Sequence, residues 1–146
     1  MDSKHKNEID VQSFQWGATQ GASMAHSGGG GGLGKVSFAD LTVNMNISKA
    51  SPKIALACCN GDHIPKIVLV GRKAGKEQQE FIKYTLTEVV VSSVEHHASL
   101  DGELAPTESV GFNYAKFEME YKEQTATGAL GSSVKMGWSV KENIKI

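Results

Sequence analysis

Long apolar runs are missing from this sequence, and with them any segment of membrane-spanning length. The N-terminus, Met1-Asp2-Ser3-Lys4-His5-Lys6-Asn7-Glu8, also lacks the apolar centre that a secretory signal needs. Charge of one sign is lacking too. Fifteen Lys and Arg stand against 16 Asp and Glu, for a net charge of -1, and no basic run exceeds two residues. A general nucleic-acid surface needs a basic excess to neutralise phosphates, so that class is excluded, and what stays open is an interaction that does not rely on charge. Cysteine is limited to the neighbours Cys58 and Cys59. A bridge between adjacent residues is strained, so both read as reduced thiols of a protein folded in the cytoplasm. If the protein is secreted, it leaves without a signal peptide.

What is present suits one domain over residues 1–146. A chain of that length buries roughly two-thirds of the surface its unfolded form exposes, and so needs neither disulfide nor metal. Most of it alternates with period two, the signature of half-buried strands. Leu41, Val43, Met45 and Ile47 alternate with Thr42, Asn44 and Asn46, and Val134, Met136, Trp138 and Val140 repeat the theme. Ile144 and Ile146 keep that phase. The run Ile67-Val68-Leu69-Val70 predicts a strand covered on both faces. Phe81 to Val94 and Glu108 to Lys122 predict long strands.

Two of these strands change phase. Val110, Phe112 and Tyr114 share one face, whereas Phe117, Met119 and Tyr121 share the other. Earlier, Ile9 and Val11 give way to Phe14 and Trp16. A flip inside a strand marks a bulge or a bend between sheets, and repeated flips favour a small, strongly curved barrel. One short helix is signposted by Ser51 as N-cap, Pro52 at the first position, Ile54 to Cys59, and the left-handed exit Asn60-Gly61. It is too short to stand alone and must pack against the barrel. Ala74-Gly75 predicts a tight hairpin connection, and Gly17 to Gly34 a long loop holding eight of the 16 glycines.

The chemical motifs are weak. Gly29 to Lys35 reads GGGGLGK, but Val36 stands where a phosphate loop needs Ser or Thr, and the segment leads into a strand instead of a helix. An extended backbone arm is the better reading. His5, His26, His63, His96 and His97 are scattered, and Cys58-Cys59 lacks zinc-knuckle spacing; Cys59 and His63 make two ligands at most. No G-x-S-x-G elbow presents a nucleophile. Glu118 and Glu120, beside Lys116 and Lys122, fit a solvated strand face, and Trp16 and Trp138 fit core or interface aromatics. No catalytic residue, metal ligand or cofactor site is expected.

Several stretches together resemble the Hcp (haemolysin-coregulated protein) family of type VI secretion, in its pseudomonad-like branch. They are Asn7-Glu8-Ile9-Asp10-Val11, Phe14-Gln15-Trp16-Gly17, and Gly28-Gly29-Gly30-Gly31-Gly32 with Gly34-Lys35-Val36. Ile47 to Pro52, Arg72 to Gly75, Glu88 to Val94 and Gly137-Trp138-Ser139-Val140 follow in order. The resemblance implies a mainly β fold: a small barrel of two packed sheets with one flanking helix and long extended loops, forming hexameric rings.

Rings of that kind stack into the secreted inner tube, inside a sheath and behind a spike protein, and carry small effector proteins in the lumen. The implied partners are thus further copies of the chain, sheath, spike and effectors, with no nucleic acid and no membrane insertion. The projecting loop, Gly21, Ser23, Met24, Gly28, Gly29, Gly30, Gly31, Gly32 and Gly34, is the expected oligomer contact, and Gln15 the lumen-facing candidate. Relatives of this kind usually begin with an extra strand before the stretch matching Asp2 to His5, and its absence predicts an unpaired edge. The rival readings are a monomeric β-barrel module for a small ligand and, less well supported, a small hydrolase.

Overall fold

A computed structural model describes residues 8–21, 35–72, 80–102, 104–124 and 130–146. Ser23, Met24, Gly28 to Gly32, Gly34 and the Ala74-Gly75 connection lie outside that set. The elements run β1 (Ser13–Gln15), β2 (Ala18–Gln20), β3 (Val36–Phe38), β4 (Leu41–Asn46), α1 (Ser51–Asn60), β5 (His63–Arg72), β6 (Glu80–His97), β7 (Thr107–Gln124), β8 (Leu130–Ser139) and β9 (Ile144–Lys145). Seven strands form one sheet in the order β1-β4-β7-β6-β5, with β8 added beside β7 and β9 beside β8. β2 and β3 form a separate antiparallel pair. The mainly β expectation thus holds, with its one helix. Among the described residues, the path from β1 to β5 does not close into a barrel.

The chain divides into two compact units. The first takes residues 1–17, 39–62 and 90–113; the second takes 18–38, 63–89 and 114–146. The long strands β6 and β7 each supply a part to both.

In the first unit, β4 pairs antiparallel with the start of β7, from Leu41 opposite Phe112 to Asn46 opposite Thr107. The predicted alternation places Leu41, Val43 and Met45 in the core, with Val91 and Val110. Helix α1 departs from expectation at its start. Ala50 is the N-cap, and its carbonyl accepts from the Ile54 N–H at 3.0 Å. Ser51 is already helical, because its hydroxyl is engaged by Glu108 and by the Ser48 N–H. At the other end Gly61 takes the predicted left-handed conformation, with φ 67°.

In the second unit, β7 pairs with β8 from Lys116 opposite Ser139 onward, and β5 pairs with β6. Its core is aromatic. Phe117 is fully buried, with the rings of Tyr84 and Tyr114 each 5.8 Å away and Phe38 at 6.2 Å. Such ring pairs contribute beyond their buried area, by roughly 0.5–1.5 kcal/mol each.

The phase flips have a visible cause in β6. Tyr84 and Leu86 are buried, then Val89 and Val91, so the buried set moves from even to odd positions. Glu88, between them, has φ 52°, a left-handed residue of the kind that inserts a bulge. In β7 the same change lies between Tyr114 and Phe117, as the sequence predicts. The run Ile67 to Val70 corrects an expectation. Val68 is 46% exposed on β5, the end strand of the sheet path, while Ile67, Leu69 and Val70 are half-buried.

Candidate functional site

Among the described residues, the one set of side chains that looks catalytic lies in the first unit, on α1, β6 and β7. Ser51 Oγ donates to Glu108 Oε1 at 2.8 Å, and His96 Nε2 lies 3.0 Å from Oε2 of the same carboxylate. Glu108 is fully buried and His96 about half exposed. The order of contacts decides the chemistry. A hydrolytic triad needs the imidazole between hydroxyl and carboxylate, so that it can take the hydroxyl proton. Here the carboxylate sits in the middle, so the serine is a donor to it and is not activated. The trio satisfies a buried charge and ties the start of α1 to β7. Local spacing gave no sign of it, since its members lie 57 and 12 residues apart.

The other chemical candidates disperse. Cys58 is half-buried and Cys59 exposed, both as free thiols. Among the described residues no three His, Cys, Asp or Glu side chains gather as metal ligands. Val36 opens strand β3, so the Gly29–Lys35 motif leads into no helix. Glu120 lies 3.7 Å from both Lys122 and Lys135, the solvated strand pairing expected there. Burial raises the Tyr84 phenol above its ordinary pKa, as for a core tyrosine.

Surface features are more telling. Gln15 is exposed at the end of β1, opposite Thr42. Its neighbour Trp16 is half-buried, but Phe14 is 41% exposed, so only one of the flanking aromatics turns inward. Gly21 is exposed beside the Lys35 carbonyl. On β7 and β8 an apolar stripe leaves the core. Phe117 stands opposite Trp138, Met119 opposite Met136, and Tyr121 opposite Val134. Exposure rises along it from 0% at Phe117 to 71% at Val134. The buried indole N–H of Trp138 has no acceptor among the described residues.

Two grooves open on these units. One, of about 590 Å³ in the first unit, is lined by Gln12, Asn46, His97, Ser99 and Leu104. The other, of about 420 Å³ in the second, is rimmed by Lys66, Lys83, Lys135 and Lys145.

A mainly β protein with exposed apolar residues along β7 and β8 is the class that the described residues define. The comparisons identify its family. The family described as "Type VI secretion system effector, Hcp" matches residues 1–121. The chain is 44% identical over 113 residues to Protein hcp1 of Pseudomonas aeruginosa, covering 76% of this chain and 69% of that protein. It superposes on a type six secretion system protein with a TM-score of 0.92 at 31% identity, covering 100% of this chain and 91% of the other. Hcp1 of Salmonella typhimurium matches with a TM-score of 0.81 at 38% identity, over 100% of this chain and 89% of that one. The chain belongs to the Hcp family of type VI secretion tube proteins. None of its described helices is long and apolar enough to cross a membrane.

Proposed function

We propose that this chain closes into hexameric rings that stack as the inner tube of a type VI secretion machine, within a sheath and behind a spike. Small effectors travel in the lumen, and export needs no N-terminal signal. The observation that carries the reading is the apolar stripe of β7 and β8, which ends at Val134 with 71% exposure. A row of exposed apolar residues on an ordered strand face marks an interaction surface. Membership in the Hcp family makes further copies the natural cover. A ring also needs two different complementary surfaces on each subunit, and the grooves of the two units offer different linings.

Native mass by light scattering tests the first step. A particle near six subunits is expected, and a clean monomer would favour a ligand-binding module instead. Replacing Gly30 and Gly31 by Val should lower the yield of rings, because Val narrows the backbone angles that Gly leaves open; an unchanged yield would remove the loop from the contact. Gln15→Arg should release effectors from assembled rings in a pull-down, and undiminished retention would take Gln15 out of the lumen.

A further inference from the structure

Asn60 and Gly61 end α1, and they form the single Asn-Gly pair in the sequence. That pair has a chemistry of its own, which assembly does not use. The backbone nitrogen of the residue after an asparagine can attack the side-chain amide carbon and close a five-membered succinimide. A side chain on that following residue hinders the approach, and glycine has none. The other described asparagines, Asn44, Asn46, Asn113 and Asn143, precede Met, Ile, Tyr and Ile. Three of them are also tied to distant parts of the chain: Asn44 to Ser13 and Ser109, Asn46 to Gln12, and Asn113 to Asp40.

Asn60 is exposed, and among the described residues its side chain meets only the nearby Asp62 carboxylate, at 3.4 Å. Nothing lies within 4 Å of the point where a Cβ on Gly61 would stand, so the surroundings leave room for the ring. The fold nevertheless holds the reaction back. Closure needs a free Gly61 nitrogen and an Asn60 backbone that leaves the helical conformation. In α1 the Gly61 N–H donates to the Ala57 carbonyl, and the Asp62 N–H reaches the same oxygen at 3.2 Å. Both bonds have to open first, and helix ends open more readily than helix centres.

We propose that Asn60 is a site of spontaneous deamidation through Gly61, released when the last turn of α1 opens, and that the product unfastens that turn. Base takes the Gly61 amide proton, the nitrogen bonds to Asn60 Cγ, the Cγ–Nδ2 bond breaks, and the proton departs with the ammonia. Water then opens the succinimide at either carbonyl. One opening gives aspartate, and the other gives isoaspartate, whose main chain runs through the side-chain carbon. The net change is one water taken up and one ammonia lost.

Either product puts a carboxylate at the C-terminal end of α1, where the helix dipole is negative. Asp62 is already acidic there, and no basic residue stands in the last turn to offset it. Isoaspartate also lengthens the main chain and displaces the donors that meet the Ala57 carbonyl. Cys58 lies in that turn, half-buried beside exposed Cys59, so its thiol registers the loosening.

The test is mass spectrometry of peptides from the full chain, aged in mildly alkaline buffer both folded and in urea. Replacing an amide NH2 by OH shifts the mass, and chromatography separates aspartate from isoaspartate. Conversion should concentrate at Asn60, with isoaspartate present, and should run roughly tenfold or more faster in urea. Asn60→Gln should abolish it and leave the circular dichroism of the folded protein unchanged. In aged folded protein iodoacetamide should label Cys58 several-fold faster, with Cys59 as internal reference, and Asn60→Gln aged alongside should show no such change.

Conversion at Asn44, Asn46, Asn113 or Asn143 ahead of Asn60 would overturn the site. Equal rates in folded protein and in urea would show that the end of α1 does not restrain the reaction. Unchanged Cys58 labelling in converted protein would show that the last turn stays fastened, and would remove the consequence.

Discussion

The unit containing Leu41, Val43, Met45, Val91 and Val110 buries aliphatic side chains around one carboxylate. The unit containing Tyr84, Tyr114 and Phe117 buries rings, with the hydroxyls of Thr85 and Ser139 as its buried polar groups among the described residues. Both draw on the same two long strands, so the difference does not come from separate segments of chain. β6 gives Tyr84, Leu86 and Val89 to the second unit and Val91 to the first, and β7 gives Val110 to the first and Tyr114 and Phe117 to the second. The two ways of filling a core have different weak points. An aromatic core fails when a ring is lost, and a core with a buried carboxylate fails when that charge loses its partners.

That contrast can be broken at each end. The largest effect is expected from Phe117→Ala, because its ring meets three others and is fully buried; about 4 kcal/mol should be lost in urea unfolding. A loss below about 1 kcal/mol would show that the rings do not hold the second unit. Glu108→Ala comes next, at about 2–3 kcal/mol, since a cavity opens and the Ser51 hydroxyl loses its acceptor.

His96→Ala should cost less, about 1 kcal/mol, because the half-exposed imidazole is screened by water while Ser51 still serves the carboxylate. Equal losses from Glu108→Ala and His96→Ala would mean that the pair, and not the buried charge itself, dominates.

Smaller effects sharpen the account of the strands. Gly111 lies against the hydroxyls of Ser92 and Ser93, so a Cβ there has no room, and Gly111→Ala should destabilise by roughly 1–2 kcal/mol. Glu88→Gly should act in the opposite sense. It relieves a left-handed non-glycine residue, and a gain of a few tenths to about 1 kcal/mol should appear as a higher urea midpoint. A loss would show that the Glu88 side chain contributes more than its backbone conformation costs. All five variants need to be compared at equal protein concentration, because self-association adds to apparent stability.

Much of this was legible in the residues. The alternation of Leu41, Val43 and Met45 marked β4 and its buried face, and Asn60-Gly61 marked the end of α1. The flip between Tyr114 and Phe117 could be read because apolar residues changed parity within one unbroken strand. The helix start was misplaced by one residue, since a serine before a proline looks like a cap unless its hydroxyl is known to be taken by Glu108. Cover over Ile67 to Val70 was overestimated for a related reason: an apolar run does not say whether its strand is central or at an edge.

What the sequence determined by itself was the β class, the short helix α1 and, through its ordered stretches, the Hcp resemblance. These depend on period, turn chemistry and local order, which short windows record. Tertiary structure alone decided that Ser51, Glu108 and His96 meet and that Lys66, Lys83, Lys135 and Lys145 rim one groove. Those residues are far apart along the chain, and a sum of charges near zero carries no information about where in space each charge lies.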